Sequence, residues 1–384
     1  MASKRKIRFG VIGCGLMGRE FAVASVRWPA LLDTKAQPEI VAICDLNEKL
    51  FDWYTDNFSS IKLATTNYQD LLASKDVEVV YCAVPHNLHE KFYCDILSAG
   101  KHLFGEKPFG IDLAANQKIL AMMQQHPNVF VRCSSEYPFY PGGHQIHKYI
   151  LENPWGRIIE VHSGYLHSSD LNFNKPINWK RMLAFNGEYG CLGDLGMHAL
   201  HLPLRARWIP SRLYASLSKI VTQRPDGKGG MAPCETWDNA TLQCEVRHPS
   251  EGYTFPMSVK TYRIAPGETD TWYIEIIGTK FSARYSTKFT KTLQTMRYEN
   301  GGPQIWQHED LGYTSAHATI TGGIFEFGFT DAILQMWAAF LDELHEPKPN
   351  MPFGCITPEE TLLQHKILTA ALASNKSGQA VALE

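Results

Sequence analysis

The chain has 384 residues, 44% of them apolar and 20% charged, with a formal charge of −2. That length exceeds what one hydrophobic core usually fills, so two domains are expected. The charge balance, without Lys/Arg blocks or an apolar run of membrane-spanning length, speaks against nucleic-acid and membrane partners.

The first 133 residues alternate short apolar runs with helical stretches. Ile7–Ile12, Ile40–Cys44, Val77–Val84, Lys101–Phe104 and Val129–Arg132 read as strands. Gly15–Val26, Glu48–Phe58, His89–Ala99 and Asp112–Gln125 read as helices, with Pro29–Pro38 as a loop insertion. This alternation predicts a doubly wound parallel sheet, an α/β Rossmann domain over residues 1–133. Basic residues before Phe9–Met17 imitate a signal peptide, but Arg19-Glu20 interrupt the stretch. The nine cysteines are scattered without a Cys-x-x-Cys pair, and several lie in apolar runs, which points to a reducing, cytoplasmic compartment.

After Glu136 the pattern changes. Pro138, Pro141, Gly142 and Gly143 suggest a connector, followed by a helix over Gln145–Glu152. Arg157–His167, Leu213–Val221, Asn239–Val246, Met257–Tyr262, Trp272–Ile277 and Thr292–Glu299 then read as strands, and Asp331–His345 and Pro358–Ser374 as closing helices. Consecutive strands with few helices predict an α+β domain over residues 134–384, built on a large, predominantly antiparallel sheet. The C-terminal helix is free to pack back on the first domain. Gln223–Glu235, rich in Pro and Gly, is expected to be an irregular lid or subunit-contact loop.

Gly13-Cys14-Gly15-Leu16-Met17-Gly18 follows the first strand and opens a helix, the G-x-G-x-x-G context of a dinucleotide site. Gly13 allows the tight turn, Gly15 the close approach of a pyrophosphate, and Gly18 helix–strand packing, with the anion on free N–H groups of the helix. Asp45 ends the next strand, where a carboxylate accepts ribose hydroxyls and repels a 2′-phosphate. NAD is the expected cofactor, with NADP the alternative.

The segments Pro85-His86-Asn87-Leu88-His89, Ala99-Gly100-Lys101-His102 through Glu106-Lys107-Pro108, Trp179-Lys180, and Asp194-Leu195-Gly196-Met197-His198 resemble signatures of the glucose–fructose oxidoreductase / inositol dehydrogenase / MocA family. The closing stretch from Thr357-Pro358 to Val381 is similar to that family's last helix. The resemblance implies a nicotinamide-dependent dehydrogenase oxidising a hydroxyl of a sugar, anhydrosugar or cyclitol, assembled as a homodimer or homotetramer. It assigns catalysis to Lys107, Asp194 and His198, and cofactor contacts to Leu16, Met17, Pro85, Asn87, His89, Glu106, Lys107, Trp179 and Lys180. Lys180 stands where relatives carry Arg, and loses the planar fork. Tyr140, Tyr165, His167 and Asn178, with the catalytic three, are candidate partners of a polyhydroxylated substrate.

Burial is expected to depress the Lys107 pKa. Asp194 and His198, four apart on a helix, are expected to pair, the carboxylate orienting the imidazole. Which of Lys107 and His198 first accepts the proton stays open. Histidines three apart, His198 and His201 among them, raise a zinc reading, but no metal is expected because hydride transfer needs none. An NAD-dependent glycoside hydrolase and a non-catalytic sugar sensor are the rival functions.

Overall fold

The computed structural model describes residues 4–346 and 353–383. Strands β1 (Arg5–Ile12), β2 (Ala36–Cys44), β3 (Leu63–Thr65), β4 (Val79–Cys82), β5 (His102–Gly105) and β6 (Val131–Cys133) form a parallel sheet in the order β3-β2-β1-β4-β5-β6. Helices α1 (Leu16–Val26), α2 (Phe51–Asn57), α3 (Tyr68–Ala73), α4 (His89–Ser98) and α5 (Leu113–Gln125) connect them. Every residue of β4 is buried, as a strand between two helical layers must be. The order reverses between β1 and β4, which places a binding crevice at the carboxyl ends of these two strands.

The Pro29–Pro38 loop reading is corrected in part: β2 already begins at Ala36, and Pro38 pairs with Ile7. β3 reaches only Ala42 to Cys44, so the proline lies on an edge where no neighbour needs its missing N–H.

The connector reading at Pro138–Gly143 is also corrected. A 3₁₀ turn at Tyr137–Phe139 leads into α6 (Pro141–Glu152), with Pro141 at its first position. The glycines are in the helix because of contact: a Cβ on Gly142 would run into the Tyr285 ring, and one on Gly143 into the Pro138 carbonyl.

There follow β7 (Ile158–Leu166), the single turn α7 (Leu183–Asn186), α8 (Cys191–Arg205) and β8 (Pro210–Ser218). Next come β9 (Gln223–Pro225), β10 (Met231–Pro233), β11 (Asn239–Arg247), β12 (Thr254–Tyr262), β13 (Thr271–Gly278), β14 (Phe281–Ser286), β15 (Thr292–Arg297) and β16 (Gln307–Asp310). The chain closes with α9 (Phe329–His345), α10 (Pro358–Ser377) and β17 (Val381–Ala382). A nine-stranded sheet runs β16-β15-β14-β13-β7-β12-β11-β8-β17, antiparallel except for the β7–β12 pair.

Gln223–Glu235 is not irregular, which corrects the expectation. β9 and β10 form a hairpin whose turn is closed by the Asp226 carboxylate accepting the N–H groups of Lys228 and Gly230. The fully buried Arg224 guanidinium ties it to the carbonyls of Asp170 and Asn172.

Three helices, α8, α9 and α10, pack against the sheets and their neighbouring helices. α8 lies on β7 and β12 and is buried from Cys191 through Leu204. α9 packs on α1 and β2, and its Trp337 stacks on Phe21 with ring centroids 3.8 Å apart, edge-on to Phe9, Tyr81 and Phe104. α10 packs against α5, α8 and β8.

Candidate active site

At the glycine turn each position has its own geometry. Gly13 has φ +98°, and a Cβ there would strike the Ala83 carbonyl; one on Gly18 would strike the Gly13 carbonyl. A Cβ on Gly15 would meet nothing within 4 Å. α1 begins without a side-chain cap or an acidic residue in its first turn, so its leading N–H groups are free for an anion. Leu16 is exposed and Met17 half-buried at this end.

Beside the turn opens a cavity of about 440 Å³ lined by Gly13, Gly15, Asp45, Tyr68, Pro85 and Phe92. The Asp45 carboxylate accepts the Cys14 and Asn47 N–H groups, both at 2.9 Å, which fixes it at the end of β2. Asn87 keeps a buried Oδ1 without a hydrogen-bond partner. Open space over Gly15, an uncapped helix and an orphaned amide oxygen fit a dinucleotide lying along the crevice.

We expect Gly15→Ala to keep the fold within about 1 kcal/mol, since its φ of −72° suits any residue, while weakening dinucleotide binding. Gly18→Ala overpacks the turn and should cost about 1–3 kcal/mol. Urea unfolding together with a dinucleotide titration separates the two; equal stability of both variants would contradict it.

Lys107 follows β5 and reaches across to α8. Its Nζ donates to the Asp194 Oδ1 and to the Asp194 backbone carbonyl, each at 2.9 Å. Lys180 Nζ reaches both carboxylate oxygens, at 3.1 and 2.9 Å, and Arg263 Nη2 reaches Oδ2 at 2.9 Å. One buried carboxylate thus holds three cations. Burial alone would raise the Asp194 pKa, but Lys107, Lys180 and Arg263 together hold it well below the usual range.

The expected depression of Lys107 is corrected. Burial does oppose its charge, yet Asp194, Glu106 and Glu136 outweigh that and raise its pKa above the ordinary value. Lys180 is lowered by burial, with Lys107 and Arg263 adding to it against the pull of Asp194.

His198 lies one turn beyond Asp194, but the expected pairing is not formed. Its Nδ1 faces Ser135 Oγ at 3.3 Å and Glu136 Oε2 at 3.9 Å instead. Burial, then the Lys107 charge, keeps the imidazole pKa well below 6.5. Tyr137 and Tyr165 stand edge-on to its ring, at 5.0 and 5.4 Å between centroids. Both tyrosine hydroxyls donate to Asp270 Oδ1, at 2.6 and 2.9 Å, and contact each other.

The structure therefore gathers Lys107, Lys180, Asp194, His198 and Tyr165, with His167 edge-on to Tyr165 at 5.7 Å. Trp179 sits beside them, edge-on to His86, with the Lys180 ammonium 5.7 Å from its ring centre. Other candidates are turned elsewhere. His89 is fully buried, its ring nitrogens facing the Val84 carbonyl and the Gly110 N–H. Glu106 accepts the Tyr81 hydroxyl at 2.6 Å, Asn178 caps the turn at Trp179–Arg181, and Tyr140 is buried at the start of α6. His201 packs on Phe353, with ring centroids 4.6 Å apart. Arg263, Asp270 and the consecutive Ser135, Glu136 and Tyr137 were not foreseen: none lies in a motif, and tertiary folding alone brings them in.

A glycine turn at the switch point of a parallel sheet, with a lysine from the end of β5 bonded to an aspartate one turn before a histidine on α8, fits a Rossmann-type oxidoreductase. Residues 7–133, about a third of the chain, match the model of the GFO_IDH_MocA oxidoreductase family, which has an NAD-binding Rossmann fold. It is 25% identical over 307 residues to a levoglucosan dehydrogenase of Pseudarthrobacter phenanthrenivorans, covering 76% of each chain. It is 24% identical over 163 residues to an inositol 2-dehydrogenase of Salmonella typhimurium, 42% of this chain and 47% of that protein, so the match spans about half of that relative's length. A solved levoglucosan dehydrogenase in complex with NADH shares the fold, with a TM-score of 0.86, 21% identity, and coverage of 99% of this chain and 100% of the other. Among the described residues no helix is long and apolar enough to cross a membrane.

Proposed function

We propose that the protein oxidises a secondary hydroxyl of a sugar, anhydrosugar or inositol to a ketone or lactone, with NAD as the hydride acceptor. The observation that carries this reading is the Lys107–Asp194 bridge, which sets an ammonium from the end of β5 against His198 on α8. When bound, the nicotinamide accepts hydride at C4. Lys107 stays charged and donates to the substrate oxygen, where it favours the alkoxide form. His198, held neutral at neutral pH, accepts the hydroxyl proton. Asp194 keeps Lys107, Lys180 and Arg263 converged. Tyr165, His167 and Asp270 offer polar tips to the remaining hydroxyls, and the names of the relatives favour a cyclic polyol.

In this reading residues 1–133 hold the dinucleotide and residues 134–384 the substrate. Homo-oligomers would form through the outer face of the nine-stranded sheet, where a groove of about 600 Å³ carries Tyr273 and the exposed Phe289.

The test is reduction of NAD and of NADP, followed by nicotinamide absorbance, against inositols, aldoses and anhydrosugars. NADH formation with at least one of them is expected, and Asp45→Ser should shift preference toward NADP. Silence across all three classes would defeat the proposal, and an unchanged cofactor ratio in the variant would remove Asp45 from its role.

A further inference from the structure

The i, i+4 spacing points to Asp194 as the carboxylate that orients His198, but Asp194 is fully engaged by three cations. The imidazole instead turns its Nδ1 toward the segment that follows β6, where two consecutive polar side chains are buried: Ser135 is 1% and Glu136 4% exposed. Ser135 Oγ lies 3.3 Å and Glu136 Oε2 3.9 Å from Nδ1. Tyr137 and Tyr165 flank the ring, and the His198 backbone carbonyl accepts the Trp272 indole N–H at 2.8 Å.

We propose that Ser135 and Glu136 are the positioning pair of His198: the serine oxygen accepts the Nδ1 hydrogen and leaves Nε2 bare, and the glutamate supplies the compensating charge when the ring is protonated. The proposal rests on the dehydrogenase reading of this site, with His198 as proton acceptor. Neither residue touches substrate; both act through the imidazole. The charge balance is simple. A neutral ring that gains the substrate's hydroxyl proton at Nε2 becomes a cation beside two others, Lys107 and Lys180, with Asp194 already taken. Asp194 still favours the charged ring from one turn away, and an ionised Glu136, 3.9 Å from Nδ1, adds a second anion.

The groups around Glu136 make its ionisation selective. Glu106 and Lys107 approach from the end of β5, Tyr81 from β4, His198 from α8, Asp270 from the start of β13, and Tyr137 from its own turn. Met336 of α9 brings no charge. Burial first, then Glu106, pushes the Glu136 carboxyl up to about 8 from an ordinary 4.5. The carboxylate therefore becomes the main form only as pH rises through about 8, so oxidation should gain rate through that value. Because the two groups interact, the inflection belongs to the His198–Glu136 pair.

The test compares wild type with Glu136→Gln, Glu136→Asp and Ser135→Ala. Polyol oxidation by the wild type should climb through about pH 8. Glu136→Gln should lose that climb and run roughly 10- to 100-fold slower above it, with Glu136→Asp restoring part of both. Nitrogen-labelled histidine NMR of the protein without cofactor, with His198 assigned through a His198→Gln variant, gives an activity-independent reading. The His198 nitrogen signals should shift as Glu136 ionises, lose that shift in Glu136→Gln, and show a changed tautomer in Ser135→Ala. Unmoved signals in both variants would overturn the proposal even in an active enzyme. Correct signals without oxidation of any polyol would instead overturn the dehydrogenase reading.

Discussion

Asparagine at position 194 is expected to abolish activity and to cost the protein about 3–5 kcal/mol of stability. Asp194 is buried and is the single carboxylate bonded by Lys107, Lys180 and Arg263. Removing its charge leaves three cations facing one another, and Arg263 is almost wholly out of water. Lys180, more than a third exposed, can relax toward solvent; Lys107 and Arg263 cannot. The acid limb follows from the same geometry. A carboxyl held well below 3.8 contributes fully above that value and loses its contribution only as pH falls through its lower folded value. The gap between wild type and Asp194→Asn should thus be constant at neutral pH and close only in strong acid. Urea unfolding across pH measures it, and equal midpoints at neutral pH would refute the assignment.

Lys107→Met is expected to give the opposite division of effects. Asp194 keeps two cations, so the fold should survive with a loss of about 1–3 kcal/mol, while oxidation falls roughly 10²- to 10⁴-fold. The lysine is raised above its ordinary pKa, so at neutral pH it is an ammonium that donates to the substrate oxygen, and proton acceptance falls to His198. A methionine of similar length fills the space but offers no donor. Dinucleotide affinity, followed by tryptophan fluorescence, should fall far less than turnover, because Lys107 is one cofactor contact among many and the glycine turn and Asp45 are untouched. Near wild-type turnover would remove Lys107 from the chemistry.

Local pattern made much of this architecture readable. The alternation of buried strands and amphipathic helices up to Cys133, and the glycine spacing after β1, depend on residues close together in the chain. β3 and α3 are too short to show a period. β14, in Phe281–Ser286, is buried at four of its six positions and lacks the strict alternation of a one-sided strand. In the site, the helical spacing of Asp194 and His198 was legible, but their partners were not. Spacing states which side chains share a helix face; it cannot state that Lys107, Lys180 and Arg263, from three separate elements, compete for the same carboxylate. Glu136 left no signal beyond a carboxylate in a mostly apolar stretch, and Asp270 none.

The aromatic nest around Trp337 has a bearing on how the chain is made. Phe9, Phe21, Tyr81 and Phe104 emerge early from the ribosome, and the indole that seats them comes some two hundred residues later. These rings also touch one another, but a polypeptide ending at Cys133 lacks the indole that covers them.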